Sequence, residues 1–234
     1  MARIRKRIQK HHIPEEHHVD FFGERLIVTV THTPSVIRRW IYSIRFFSRL
    51  RLSHPLVVGL GVQWTPRGSD PPPDILQLCV GTRCLIIQLS HCKYVPDVLR
   101  SFLEDQTITF VGVWNSQDKD KLERFHHQLD IWRLVDIRHY LHPLLLSSSF
   151  ETIVKVYWGH EGVTKDKELC MSNWGARSLS HDQIVQASHD VYVCWQARCY
   201  GTSVESGSLK SFFCWLVLLG NSYYLKIINV FCFL

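Results

Sequence analysis

Between residues 56 and 64 the chain reads Leu56-Val57-Val58-Gly59-Leu60-Gly61-Val62-Gln63-Trp64, apolar and unbroken. A run of this kind predicts a strand buried on both faces of a sheet. Alternation places Gly61 and Gln63 on one face, together at its C-terminal end. Open α/β sheets hold their ligands beyond that end of their strands. Other strand patterns are Arg25–Thr31, Ile75–Val80, Arg83–Gln88, Thr107–Val113 and the short Trp132–Ile137. Gly81-Thr82, between Val80 and Arg83, predicts a β-hairpin with a glycine turn.

Helical spacing alternates with these runs. Val36, Ile37, Trp40, Ile41 and Ile44 line one face of a helix over 35–47, started by Thr33-Pro34-Ser35. Its outer face carries Arg38, Arg39 and Arg45, read as solvated. Val95–Leu103, Asp118–Leu129 and Phe150–Trp158 also read as helices. A last helix runs from Ser180 to Tyr192 or beyond, with Ser180 as N-cap and Gln183 at the capping-box position. Pro71-Pro72-Pro73 make residues 65–73 a loop. The pattern as a whole predicts an α/β fold, a mixed β-sheet flanked by helices.

Charge divides the chain further. Its 234 residues carry a formal charge of +6. Residues 1–20 are basic and His-rich and read as a flexible N-terminus. Arg3, Arg5, Lys6 and Arg7 there are candidate nucleic-acid contacts or a nuclear address. Residues 21–198 hold the folded domain, and 199–234 form an apolar tail of uncertain fold. Gly220-Asn221-Ser222 interrupts that tail well short of the roughly 20 apolar residues of a membrane span, so no membrane association is expected. No signal-peptide pattern follows Met1, and the eight cysteines, mostly in apolar runs, read as reduced. A nuclear or cytosolic protein is expected, not a secreted one.

Several motifs together resemble the Werner-type 3′–5′ exonucleases of plants, over roughly residues 20–198. Leu56–Trp64 resembles their first motif, V-G-x-D-x-E-W. Val19–Gly23 and Thr29–Pro34 are similar to the lead-in, and Leu76–Gly81 with Arg83–Ile86 to the hairpin. Phe110-Val111-Gly112-Val113, Asp118 and Lys121-Leu122 resemble the second motif. Lys165–Leu169, Ser172-Asn173-Trp174, Leu179, Gln183 and Asp190 resemble the third motif and its approach. The resemblance implies a ribonuclease-H-like domain of the DEDDy type that removes nucleotides from 3′ ends of single-stranded or 3′-ended DNA or RNA.

The chemistry of that family uses two divalent ions about 4 Å apart to activate water and to stabilise the leaving oxygen. Hard Mg²⁺ or Mn²⁺ would be the cofactor, held by carboxylates from three motifs. By resemblance, Asp118 and Asp190 stand at retained metal-binding positions. Gly61 and Gln63 stand where the first motif has its two acids, and Gln186 stands where the family has a tyrosine. Two of five expected groups therefore remain, and catalytic impairment is expected. The alternatives are a weak one-ion exonuclease using Asp118 and Asp190, a non-catalytic relative holding nucleic acid or a protein partner, and a non-functional truncated gene product.

Overall fold

The computed structural model describes residues 15–50, 55–140, 146–159 and 165–201. Seven strands form one sheet. They are β1 (Glu15–Phe21), β2 (Glu24–Thr31), β3 (Leu56–Gln63), β4 (Ile75–Val80), β5 (Arg83–Gln88), β6 (Ile108–Gly112) and β7 (Leu134–Asp136). Their order across the sheet is β1-β2-β5-β4-β3-β6-β7. β4 runs antiparallel between β3 and β5, whereas β2–β5, β3–β6 and β6–β7 are parallel pairs, so the sheet is mixed. The β4–β5 hairpin closes as expected at Gly81, whose φ of +58° suits a residue without Cβ.

Helices cover both faces: α1 (Pro34–Leu50), α2 (Asp97–Leu103), α3 (Asp118–Arg124), α4 (Phe150–Trp158), the short α5 (Lys167–Cys170) and α6 (His181–Gly201). One face of β3 and β4, with Val58, Leu60, Leu76 and Leu78, packs under Ile37, Ile41, Leu99 and Phe102 of α1 and α2. On the opposite face Ile75, Cys79 and Ile86 meet Val154, Ile184 and Val191 of α4 and α6. Alternation along β3 thus turns Gly59, Gly61 and Gln63 toward α6. A Cβ on Gly59 would run into the Val191 carbonyl, so glycine is what lets α6 lie directly on the strand. The start of α6 follows its capping box: the Gln183 N–H donates to Ser180 Oγ at 3.2 Å, and Gln183 Oε1 accepts from the Ser180 N–H at 2.9 Å.

Element boundaries depart most from the sequence expectation at two places. Residues 15–20, expected in the flexible N-terminus, belong to edge strand β1, which pairs with β2 along its whole length. Its side chains are mostly polar, and backbone pairing with burial of Val19 and Phe21 holds it. The helix expected over Asp118–Leu129 stops at Arg124. Arg100 donates to the Gln128 carbonyl at 2.7 Å and the Leu129 N–H returns to the Leu122 carbonyl at 3.0 Å, so tertiary hydrogen bonds replace helical ones. Arg3, Arg5, Lys6, Arg7 and the tail from 202 onward lie outside the described residues.

Candidate active site

At the C-terminal end of β3 the first-motif positions carry no charge. Gly61 lies directly opposite Gln77 in the β3–β4 register. Gln77 is fully buried, and neither its Oε1 nor its Nε2 has a hydrogen-bond partner among the described residues. A Cβ added to Gly61 would stand 2.5 Å from that Oε1. The amide therefore occupies the space a side chain at position 61 would need. Gln63 is half-buried, and its carbonyl accepts from the Asp74 N–H at 2.9 Å. Nearby acids are already engaged. Asp74 Oδ2 accepts from the Thr65 N–H and hydroxyl at 2.8 and 2.6 Å. Asp70 pairs with Lys121 at 3.0 Å and Arg124 at 3.2 Å, which ties the proline loop to α3.

The other half of the site comes from α3, α6 and the segment before α5. Asp118 opens α3 and is buried. Burial pushes its carboxyl up to about 7, with the Asp136 charge acting the same way against Lys165 and Lys121. Asp190, on α6, has a side chain only 9% exposed. The Lys165 Nζ stands 2.9 Å from its Oδ2 as an ion pair. Burial works to pull the Lys165 ammonium down, but the charge and contact of Asp190, with Cys194 and Cys170, together hold it above its ordinary value. Cys194, one turn after Asp190, is buried and feels Asp190, Lys165, Asp136 and Asp118 together; burial drives its thiol well up. Lys165 acts electrostatically on both Asp118 and Asp190.

Three further positions turn elsewhere. Gln186 Nε2 donates to Cys170 Sγ at 3.2 Å. Val185 packs into the apolar cluster over β2, β4 and β5. His189, next to Asp190, lays its ring on Phe21 with centroids 4.6 Å apart, and its Nε2 lies 3.3 Å from the Asp20 carbonyl. It faces β1, not the carboxylates.

Asp136 and Trp114 were not singled out in the sequence, and the structure places both here. Asp136 takes both oxygens to Arg138 and accepts from the Trp114 N–H at 3.1 Å. Burial pushes the Asp136 carboxyl up, but its Arg138 contacts win and hold it below the usual range. Trp114 is 57% exposed, with the Arg138 guanidinium 3.4 Å from its ring centroid. A positive φ of 55° fixes the tryptophan in an uncommon conformation. No short local pattern announces a stacked pair joined across 24 residues.

This donor set does not fit a two-ion centre. Gly61 supplies no oxygen, Gln63 at most a neutral one, and an ammonium already stands against Asp190. Among the described residues no group of three or more His, Cys, Asp or Glu is placed to hold a metal ion. No helix among them is long and apolar enough to cross a membrane.

Comparison with known proteins agrees with the architecture. The mouse bifunctional 3′–5′ exonuclease/ATP-dependent helicase WRN is 31% identical over 149 residues, covering 61% of this chain and 11% of that protein. A 3′–5′ exonuclease of Arabidopsis thaliana is 26% identical over 188 residues, covering 74% of this chain and 62% of its own length. The chain therefore spans less than two thirds of either relative. In fold it matches the crystal structure of Escherichia coli RNase D, an α/β exoribonuclease, with a TM-score of 0.61 and 21% identity over 81% of this chain and 48% of that one. A family model described as 3′–5′ exonuclease matches residues 73–198, from the β4–β5 hairpin to α6 and so including Asp118 and Asp190. That match covers more than half of the sequence, and the chain belongs to the 3′–5′ exonuclease family.

Proposed function

We propose that this chain binds 3′-ended single strands of DNA or RNA, with the two-ion hydrolysis of its DEDDy-type relatives strongly impaired. The donor set at the end of β3 carries the reading. A phosphodiester repels hydroxide and needs its leaving oxygen stabilised, and two divalent ions ordinarily do both. Here Asp118 and Asp190 remain, Gly61 and Gln63 give no charge, and Gln186 has no phenol and faces Cys170. Binding draws on other features. The formal charge of +6 favours a polyanion through counterion release. The exposed Trp114 ring, held against Arg138 at the same end of the sheet, offers a flat face to a base.

The test uses the full chain with end-labelled single-stranded DNA and RNA oligonucleotides. Binding should persist in chelator and weaken steeply with salt. Trp114→Ala should lower affinity about 10-fold, the scale of one lost base–aromatic stack. Shortening of the oligonucleotide in Mg²⁺ or Mn²⁺ should stay near background, and rise when Gly61→Asp and Gln63→Glu are made together. Robust Mg²⁺-dependent digestion by the unmodified chain, abolished by Asp190→Asn, would overturn the impairment. Absence of binding at low salt would overturn the binding.

A further inference from the structure

The family's ions perform a structural task besides catalysis: they neutralise carboxylates that the fold brings together. In this chain the carboxylates remain on one side of the site, and something must hold the buried charge of Asp190. An unpaired carboxylate at 9% side-chain exposure is costly. Lys165 meets that need. Its Nζ stands 2.9 Å from Asp190 Oδ2 and also lowers the charge cost of Asp118.

Two observations make this a built position rather than a loose surface contact. The Lys165 N–H donates to Glu151 Oε1 of α4 at 2.9 Å, which anchors the backbone. The ammonium lies 4.9 Å from the centre of the Phe150 ring, also on α4. The other cation near Asp118 is engaged elsewhere: Lys121 donates to Asp70 Oδ1 at 3.0 Å and the Pro71 carbonyl at 2.8 Å, with its Nζ over the Trp64 ring. An ion such as Mg²⁺ binds carboxylate oxygen at about 2.0–2.1 Å, so it would have to share Asp190 with an ammonium of like sign.

We propose that Lys165 is the resident cation of this site, a tethered ammonium standing in for a divalent ion, so that Asp190 is neutralised without metal. The inference rests on the donor-set reading above and extends it. Lys165 lies in the stretch that resembles the family's approach to its third motif; with Gly61 and Gln63 giving no charge, its ammonium is left to balance Asp190. Metal occupancy and nucleic-acid affinity are read separately, so either can fail alone.

The experiment measures Mn²⁺ binding by the loss of its free-ion paramagnetic resonance signal, and thermal unfolding with and without millimolar Mn²⁺. Four forms of the full chain are compared: unmodified, Lys165→Gln, Asp190→Asn and the double variant. The unmodified chain should bind no Mn²⁺ and show no shift in Tm. Lys165→Gln should unfold about 6 °C or more lower, because it strands a buried carboxylate. It should then gain a Mn²⁺-dependent rise in Tm that Asp190→Asn removes. The double variant should lie nearer the unmodified chain than Lys165→Gln does, and it keeps the test alive if the single variant does not fold. Mn²⁺ binding by the unmodified chain that Asp190→Asn removes would overturn the proposal. So would a folded Lys165→Gln that gains no Mn²⁺ response, or a double variant no more stable than Lys165→Gln.

Discussion

The two halves of the candidate site are filled in different ways. On the β3 side Gly61 and Gln63 bring no charge, and the question is one of volume. That volume is closed by packing: Gln77 projects opposite Gly61, and Val191 of α6 comes within 3.2 Å of where a Gly61 Cβ would be. On the α3–α6 side Asp118 and Asp190 are buried acids, and the question is one of charge. That charge is balanced by an ion pair, with Lys165 at 2.9 Å from Asp190. Packing is short-ranged and indifferent to pH, whereas an ion pair acts over several ångströms and follows protonation. One half should therefore answer to steric change and the other to pH.

The largest expected effect is on the charged half. Asp118 titrates at 3.8 when unfolded and at about 7 in the fold, because burial disfavours its charged form. Between those values the folded chain binds more protons than the unfolded one. Stability from this group is then fully present below about pH 4 and is lost as pH rises through 7, by at most ~4 kcal/mol. Asp118→Asn should match the unmodified chain near pH 4 and exceed it in stability at pH 8, as read from urea unfolding across that range. Parallel pH profiles for the two proteins would place the buried charge elsewhere.

On the packed half, Gly59→Ala drives a Cβ into the Val191 carbonyl and should cost about 3 kcal/mol, equally at pH 5 and pH 8. Gly61→Ala meets the end of the Gln77 side chain at 2.5 Å, which can swing away, and a Val191 methyl at 3.2 Å, and should cost about 1 kcal/mol. Denaturation midpoints of the pair measure the difference. Equal costs would mean that Gln77 is locked in place.

The smallest effect concerns Gln77 itself. Both of its polar atoms are buried without partners among the described residues, so Gln77→Leu should stabilise the domain by about 1 kcal/mol. A loss of stability on that change would show that the amide has a partner in solution, and that the β3 side is not closed by packing alone.

Much of this was legible in the sequence because it is local. The apolar run of β3, the glycine turn at Gly81 and the Ser180–Gln183 capping box each depend on residues a few positions apart. Two-residue alternation placed Gly61 and Gln63 together at the end of β3, and their chemistry alone shows that no carboxylate is there. Tertiary structure decided the rest. Strand β1 is polar along most of its length, and only pairing with β2 makes it a strand. The end of α3 is set by Arg100, 28 residues from the carbonyl it takes. Lys165 and Asp190 lie far apart in the chain, and nothing in the spacing of either predicts their contact. An ammonium becomes a counter-ion, and an amide a filler of space, only through what the fold brings beside it. Burial and proximity are properties of packed elements, whereas sequence periodicity reports only which face of an element points inward.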